Sequence, residues 1–215
     1  MRTFFSALAS LLYLLLLGSC SSYMTQSKNV SNAKKDYSKI LVYARGKNEI
    51  ARSIFEQDVA AALQQQGINA VAGHKEKVVD VPAEKQLSRE ESEALKQELL
   101  NMGFDGVVIT HLVDTEQYRE VIPTGVYPST DAYNYGQFGY YWTYYPAFDW
   151  APGLTIEGTR YELESALYDL RNDTGNTLQW IGRFKLEDPK DLRKTTQGYA
   201  RELVSALMKE SISRE

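Results

Sequence analysis

The chain contains very little cysteine, since Cys20 is the one cysteine in 215 residues. A single thiol excludes an internal disulfide, a zinc site built from several cysteines and a dithiol redox centre. If Cys20 carries lipid, a cysteine nucleophile is excluded as well. A domain of this length buries enough apolar surface to fold without disulfides.

The sequence also lacks the short motifs of common catalytic and phosphate-binding sites. His-Glu-x-x-His, Gly-x-Ser-x-Gly and a phosphate-binding glycine loop are all absent. An excess of basic residues is missing too, because 24 Lys and Arg face 28 Asp and Glu, for a formal net charge of -4. Nucleic-acid binding requires a basic face, so nucleic acid is not an expected partner. No cofactor and no metal is expected.

The first residues have the composition of a secretory signal peptide. Arg2 precedes an apolar run from Phe4 to Leu17, and the small residues Gly18 and Ser19 follow it. The apolar run of about 14 residues is shorter than the roughly 20 that a membrane-spanning helix needs. We therefore predict a cleaved signal peptide over residues 1–19.

The segment Leu17-Gly18-Ser19-Cys20 resembles the lipobox of bacterial lipoproteins. The resemblance implies cleavage before Cys20, diacylation of its side chain and acylation of its new amino terminus. Ser21, in place of Asp, implies sorting to the inner leaflet of the outer membrane, where the protein faces the periplasm. Such an anchor is long-lived because each buried methylene adds about 0.8 kcal/mol. An ordinary signal cut nearby, with Cys20 incidental, is the alternative.

Polar residues dominate the segment after the cleavage site. We predict a flexible tether over 20–37, with a reach on the order of 20–25 Å. A single periplasmic α/β domain is predicted over 38–213, and it includes an aromatic-rich loop over 116–154.

The first half of this domain alternates between strand and helix patterns. Lys39–Ala44 is an apolar run of strand type, and apolar residues from Ile50 to Leu63 recur at helical spacing. Asn69–Gly73 is predicted to be a second strand. Ser88 with Glu91 matches a capping box at the start of a second helix. Val107–Val113 lacks alternation, which predicts a central strand covered on both faces.

The second half has antiparallel patterning. Tyr161–Leu170 is strand-like, Leu178–Lys185 alternates apolar with polar residues, and Asn172–Asn176 supplies the turn of a hairpin between them. Asp188 is the predicted N-cap of a last helix that begins at Pro189. Together these patterns predict an α/β (α+β) fold, with a mixed sheet of about five strands and three helices in two or three layers. The predicted order is β-α-β-α-β, the aromatic loop, then β-β-α.

The aromatic loop is the most unusual part of the composition. From Tyr127 to Trp150 there are seven Tyr, two Phe and two Trp. Four interpretations fit: a surface for a protein partner, a self-packed lid, a platform for sugar rings, and a membrane-interface segment. Because Tyr outnumbers Leu and Ile, surface recognition is favoured over core filling. The candidate binding surface is Tyr135, Phe138, Tyr140, Tyr141, Trp142, Tyr144 and Tyr145.

Few residues suggest acid–base chemistry. His74 and His111 are isolated in the sequence, and a lone strand histidine is more often structural than a ligand. Glu162 and Glu164 lie two apart on one predicted strand face, with Asp169 on the other. Two carboxylates on one face fit a glycosidase pair, but neighbouring acids also occur on exposed strands by chance.

Five segments and the aromatic Tyr-Gly loop follow one another in the domain. The segments are Lys39-Ile40-Leu41-Val42-Tyr43, Phe55-Glu56 in a helix ending at Gly67, Gly103-Phe104-Asp105-Gly106-Val107, Tyr161–Asp169 and Leu178-Gln179-Trp180. As a set they resemble a group of uncharacterised bacterial envelope lipoproteins with a small α/β domain. The resemblance covers 38–210, and the layout is also similar to the periplasmic domains of the curli secretion lipoprotein and of the lipoprotein activator of peptidoglycan synthases. It implies assembly or regulation and transfers no catalytic residue, and a pore-forming strand pair of the curli type is lacking.

These observations predict a non-catalytic lipoprotein that serves as an interaction or assembly module of the cell envelope. Its expected partners are the bilayer, through acylated Cys20, an envelope protein, through the aromatic loop, and peptidoglycan. The alternative is a peptidoglycan- or glycan-binding protein or a cell-wall hydrolase.

Overall fold

Eight strands and three α-helices are present in the computed structural model, which describes residues 22–76, 86–122, 126–128, 148–150, 154–172 and 177–213. The strands are β1 (Met24–Asn29), β2 (Ile40–Arg45), β3 (Ala70–Ala72), β4 (Gly106–Ile122), β5 (Val126–Pro128), β6 (Phe148–Trp150), β7 (Leu154–Asp169) and β8 (Leu178–Glu187). The helices are α1 (Glu49–Gln65), α2 (Arg89–Asn101) and α3 (Leu192–Glu210), and a short 3₁₀ turn spans Gly73–Lys75.

Six of the strands form one mixed sheet in the order β1-β8-β7-β4-β2-β3. β2 is parallel to β3 and to β4, whereas β1 is antiparallel to β8. The α/β class with three helices is confirmed, and the sheet has one strand more than the five expected. β4 lies between β7 and β2, so the prediction of a central strand is confirmed. The predicted cover on both faces is wrong for the end of the run, because Leu112 and Val113 are exposed.

The larger part of the core lies between the sheet and the pair α1 and α3. The alternation predicted for β8 is observed, because Trp180 and Phe184 are buried and the intervening Arg183 is exposed. The ring of Tyr199 packs against Phe55 and Phe184 at centroid distances of 5.1 and 4.3 Å. Other buried members include Ile40, Val42, Val59, Leu63, Leu167, Leu203 and Leu207.

The opposite face of the sheet carries α2. Leu99 of this helix packs with Leu41, Val107 and Leu170 of the strands, and with Phe104. Successive strand residues point to opposite faces, so Leu41 and Val107 face α2 while their neighbours Ile40 and Val108 join the other core. The arrangement is therefore a three-layer one over this part of the sheet.

Helix starts follow local side-chain chemistry. The predicted capping box is confirmed, because Ser88 Oγ accepts from Glu91 N at 3.1 Å and Glu91 Oε2 accepts from Ser88 N at 2.8 Å. The prediction of Asp188 as the N-cap of the last helix is wrong. Asp191 is the N-cap and accepts from Lys194 N at 3.1 Å. Asp188 has a φ of 44°, whereas an N-cap residue has extended backbone.

The tether predicted over 20–37 is wrong for its described part. Met24–Asn29 is an edge strand paired with β8, with Asn29 opposite Trp180, and Lys35 forms a bridge with Ile212. An edge strand whose side chains face water needs backbone partners but little apolar content. Polar composition therefore did not distinguish this strand from a free chain.

The chain divides into two compact units. One contains the residues up to Asp114 and from Tyr161 onward, and the second is Thr115–Arg160. In the second unit Arg160 pairs with Glu116 at 3.2 Å and lies over the ring of Tyr118. The loop predicted over 116–154 is shorter than expected, since β4 continues to Ile122 and β7 begins at Leu154. One domain over 38–213 stays a prediction.

Two buried carboxylates hold the segment before β2 against the sheet. Asp169 accepts from Lys35 Nζ at 2.8 Å and from Arg171 Nε at 3.1 Å. Asp105 accepts from Ser38 N at 2.8 Å, and Arg171 lies 3.5 Å from it. Burial alone would raise the pKa of Asp169, but the hydrogen bonds from Lys35 and Arg171 outweigh it and lower that pKa. We call these four charged residues the carboxylate clamp.

Asp169→Asn is expected to lower the free energy of unfolding by about 1–3 kcal/mol at neutral pH, because it weakens hydrogen bonds to charged groups. The pKa is lower in the folded protein, so the contribution is present above the unfolded value near 4 and is lost as pH falls through the folded pKa. Urea unfolding from neutral to acid pH measures both effects. Glu162→Gln, on the exposed part of β7, is the control, expected to change stability by less than about 0.5 kcal/mol. Equal stability of the parent and Asp169→Asn at pH 7 would refute the clamp.

Candidate functional site

The residues predicted to contact lipid or a partner lie outside the described part of the chain. They are Cys20 and the aromatic residues Tyr135, Phe138, Tyr140, Tyr141, Trp142, Tyr144 and Tyr145. Both flanks of the aromatic segment are described. Val126 pairs with Trp150 and Pro128 pairs with Phe148 in an antiparallel ladder of two strands. Pro128 and Phe148, the described residues on either side of 129–147, are therefore neighbours in the ladder.

A groove of about 700 Å³ lies between α2 and the sheet. Its floor is apolar and aromatic, with Tyr43 and Ile109 from β2 and β4 and Tyr168 from β7. Its rim is polar, with Arg89, Ser92 and Glu93 from α2. Apolar floors with a few polar groups are typical of small-molecule sites, and sequence reasoning did not find this groove. The remaining lining residues are Leu41, Leu87, Leu95, Lys96, Leu99, Val107, Leu170, Asn172 and Thr177.

A charged cluster lies on the same face of the sheet as the groove floor. Along β4, His111 points to the same face of the sheet as Ile109. Along β7, Glu164 points to the same face as Tyr168. Glu164 Oε2 accepts from Arg183 Nε at 3.0 Å, and Glu164 Oε1 lies 3.8 Å from His111 Nε2. The side chain of Glu164 is 17% exposed and that of His111 is 44% exposed.

This cluster is an ion pair with a histidine beside it. Because β7 is continuous, Glu162 and Glu164 share one face and Asp169 lies on the other, as their spacing predicts. Glu162 is exposed, whereas Glu164 is held by a charge-assisted hydrogen bond from Arg183. The two carboxylates of the predicted pair therefore lie in different surroundings.

Tyr168 joins the groove to the charged cluster. Burial raises the pKa of its phenol, and the negative charge of Glu164 raises it further. The side chain is consequently a neutral hydroxyl-bearing ring at physiological pH. With Tyr43 it gives the groove an aromatic floor that suits stacking or apolar contact.

His74 has a structural partner. Glu56 of α1 is 0% exposed and accepts from Ala44 N at 3.0 Å, from His74 N at 2.6 Å and from His74 Nδ1 at 3.0 Å. The buried carboxylate thereby joins α1 to the end of β2 and to the 3₁₀ turn. Sequence reasoning missed this role of Glu56. The available signal was a Glu beside Phe55 in the apolar stripe that includes Val59 and Leu63.

A second buried polar group lies in the larger core. Ser165 Oγ hydrogen-bonds to Thr110 Oγ1 and, at 2.9 Å, to the hydroxyl of Tyr199. Burial raises the pKa of Tyr199 well above its ordinary value. The three hydroxyls satisfy one another inside the core, as buried polar groups must. Their arrangement accounts for polar residues in two central strands without a ligand.

Across the described residues, no three side chains of His, Cys, Asp or Glu are placed to hold a metal ion. In that same part of the chain, no helix has the length and apolar character to cross a membrane.

Comparison with known proteins gives weak likenesses. No family model and no curated protein matches the sequence. Among solved structures, a PelC dodecamer from Paraburkholderia phytofirmans matches at a TM-score of 0.45 and 10% identity, over 88% of this chain and 97% of that chain. The lipoprotein GNA1162 from Neisseria meningitidis matches at a TM-score of 0.40 and 14% identity, over 79% and 94%. With TM-scores below 0.5, these likenesses carry no conclusion about function.

Glu164→Gln is expected to lower the pKa of the Tyr168 phenol while leaving it above the ordinary 10.0. The substitution removes a negative charge that disfavours the phenolate, but burial, the larger cause, remains. Nuclear magnetic resonance of tyrosines labelled at the ring Cζ measures the titration, with Tyr168→Phe assigning the signal. Glu162→Gln is the matched control and should leave the titration unchanged. A pKa that rises, or that returns to 10.0, would show that the cluster is assembled differently.

Proposed function

We propose that the protein is an outer-membrane lipoprotein that faces the periplasm and acts without catalysis as an interaction or assembly module of the cell envelope. The observation that carries the anchoring is the lipobox-like segment Leu17-Gly18-Ser19-Cys20 after an apolar run, with Cys20 as the sole thiol. The acylated Cys20 is the proposed attachment to the bilayer.

The proposed contact with an envelope protein is the aromatic segment. Residues 129–147 carry all seven candidate aromatic residues, and they begin and end at the ladder of β5 and β6. Tyr and Trp are over-represented among residues that dominate binding energy.

Four of the described acids have structural roles, which supports a non-catalytic function. Glu56 and Asp105 accept backbone amides, Asp169 is held by Lys35 and Arg171, and Glu164 is paired with Arg183. Each carboxylate accepts hydrogen bonds from groups of the protein itself. These interactions account for the four residues through folding.

Glycan binding, with or without hydrolysis, is the second proposal. The shared face of Glu162 and Glu164 and the aromatic floor at Tyr43 and Tyr168 favour it. Binding alone predicts that the protein sediments with cell-wall sacculi and that Trp142→Ala releases it. Soluble fragments released from sacculi by the purified lipoprotein would contradict the non-catalytic proposal.

Cys20→Ser is expected to abolish lipid attachment and to leave the signal segment uncleaved, since the lipobox resemblance makes acylation a condition of cleavage. Incorporation of labelled palmitate and the mass of the purified protein measure both effects. Ser53→Ala, at a half-buried position of α1, is the control and should retain both. Normal processing and membrane recovery of Cys20→Ser would contradict anchoring through this residue.

Photo-crosslinking tests the partner surface. A photoreactive residue replaces Trp142 in the lipidated protein in cells, and the same residue replaces Leu112, which is 47% exposed on β4, as the control. A discrete protein adduct is expected from position 142 and not from position 112. Joint alanine replacement of Tyr140, Tyr141 and Tyr144 is expected to reduce that adduct at least tenfold.

The other outcomes separate the remaining interpretations. A smear that collapses on digestion of the cell wall favours the glycan proposal. Absence of any adduct from abundant, lipidated protein leaves a self-packed lid, and it refutes the aromatic segment as the contact.

A further inference from the structure

The exposed face of α3 carries positive charge. In space this face lies beside Ser22 and Tyr23, the first described residues of the chain. Lys194, Gln197, Arg201, Ser205 and Lys209 follow one another at three- and four-residue spacing and are all exposed. The spacing puts them along one side of the helix. Three of the five are basic and none is acidic, although the whole chain has a formal net charge of -4. We call this set the basic stripe.

Acidic residues of the same helix are turned toward the protein. Glu202 Oε2 accepts from Tyr23 N at 2.8 Å, from Met24 N at 2.9 Å and from Ser22 Oγ at 3.0 Å. Glu210 accepts from Trp180 Nε1 at 2.8 Å, and Ser27 Oγ also donates to it. Their charge is therefore engaged by hydrogen-bond donors of β1 and β8.

The cations of the stripe are not paired with an anion among the described residues. Lys194, Arg201 and Lys209 form no ion pair with any residue in the described ranges. Consequently their positive charge faces solvent, and it is available to an external anion.

Ser22 and Tyr23 are fixed to the same helix. With Met24, they line a groove of about 700 Å³ whose lining from α3 includes three basic residues and two hydrogen-bonded acidic ones, namely Lys194, Arg201, Lys209, Glu202 and Glu210. A Cβ added at Gly198 would lie 2.7 Å from the ring of Tyr23, so the ring packs directly on the helix backbone. Contact with Gly198 and hydrogen bonds to Glu202 together hold the start of β1 beside the basic stripe.

The distance from this point to the anchor is short, a step that rests on the proposed acylation of Cys20. Two peptide units separate Cys20 from Ser22, which limits the distance between their Cα atoms to about 7.6 Å. The acyl chains of a lipoprotein lie in the bilayer, so Ser22 is held at the headgroup layer. Screening at physiological salt extends over about 8 Å, so the adjoining stripe lies within electrostatic range of the lipid.

We propose that the basic stripe of α3 rests on the anionic phospholipid headgroups of the membrane that holds the anchor. The anchor supplies the attachment, and the stripe determines which face of the compact unit that contains α3 meets the bilayer. The occupant is a lipid surface because the anchor brings that surface to the stripe. An acidic protein is the alternative occupant, but it would have to displace the lipid headgroups that the anchor places next to the stripe.

A site-specific quenching experiment tests the orientation. Acylation consumes the thiol of Cys20, so an introduced cysteine is the one free thiol of the mature protein. Gln197→Cys and Gln97→Cys place a fluorophore on exposed positions of α3 and α2, which lie on opposite faces of the sheet. The lipidated proteins are reconstituted into vesicles of phosphatidylethanolamine and phosphatidylglycerol that carry a nitroxide on some headgroups.

The label at position 197 is expected to be quenched and the label at position 97 is not. Each basic residue near an anionic surface strengthens binding by about fivefold. The triple variant Lys194→Gln, Arg201→Gln, Lys209→Gln keeps the anchor but removes the charge of the stripe. The ratio of protein whose stripe lies on the bilayer to protein whose stripe is turned away should therefore fall by up to about 100-fold at low salt. The variant Lys47→Gln, Lys75→Gln, Arg89→Gln removes the same number of charges elsewhere and should leave quenching intact.

Mass and flotation separate this inference from the proposed function. A mature protein without acyl chains refutes the anchoring, and the inference with it. A lipidated protein that floats with vesicles, but whose label at 197 is quenched no more than that at 97, refutes the inference alone. Quenching that survives the triple variant, or that is equal on phosphatidylcholine vesicles, also refutes the electrostatic contact.

Discussion

Carboxylates that hold the N-terminal segment to the rest of the fold are the interactions on which the rest of this structure depends. Asp105 and Asp169 bind the stretch from Lys35 to Ser38, and Glu202 binds the amides at the start of β1. The segment is largely polar, although Tyr37 is buried in the larger core and Tyr23 and Met24 pack against it. Polar contacts therefore add to hydrophobic burial in holding it in place. Hydrogen bonds to charged groups contribute about 1.5–3 kcal/mol each, and they give a polar segment a defined position.

The regular elements could be predicted because their local signals agree with their tertiary surroundings. Apolar spacing located α1, the Ser88 capping box located the start of α2, and the unbroken run at Val107–Val113 located a central strand. Most of the residues that favour these elements locally are also those that the elements bury or use as caps, whereas Ile50, Leu112 and Val113 are exposed. The alternation of β8 identified its buried face for the same reason.

The failures came where local composition and tertiary position disagree. β1 is polar because an edge strand exposes its side chains, and its partner β8 lies more than 150 residues away in the sequence. Glu56 is a common helix residue whose buried role depends on Ala44 and His74 from two other elements. Asp188 has the residue type of an N-cap but a left-handed backbone. None of these features could be inferred from a window of neighbouring residues.

The position of β1 changes what the proposed anchor implies. A free tether of about 17 residues would let the domain move 20–25 Å from the bilayer, so its surfaces would search a broad layer of the periplasm. A segment that enters the sheet at Met24 leaves only a few residues between Cys20 and the folded unit. Under the proposed acylation, this unit stays at the membrane surface. Its reach is then set by the dimensions of the folded chain, which suits a component that organises partners at the bilayer more than one that captures them far from it.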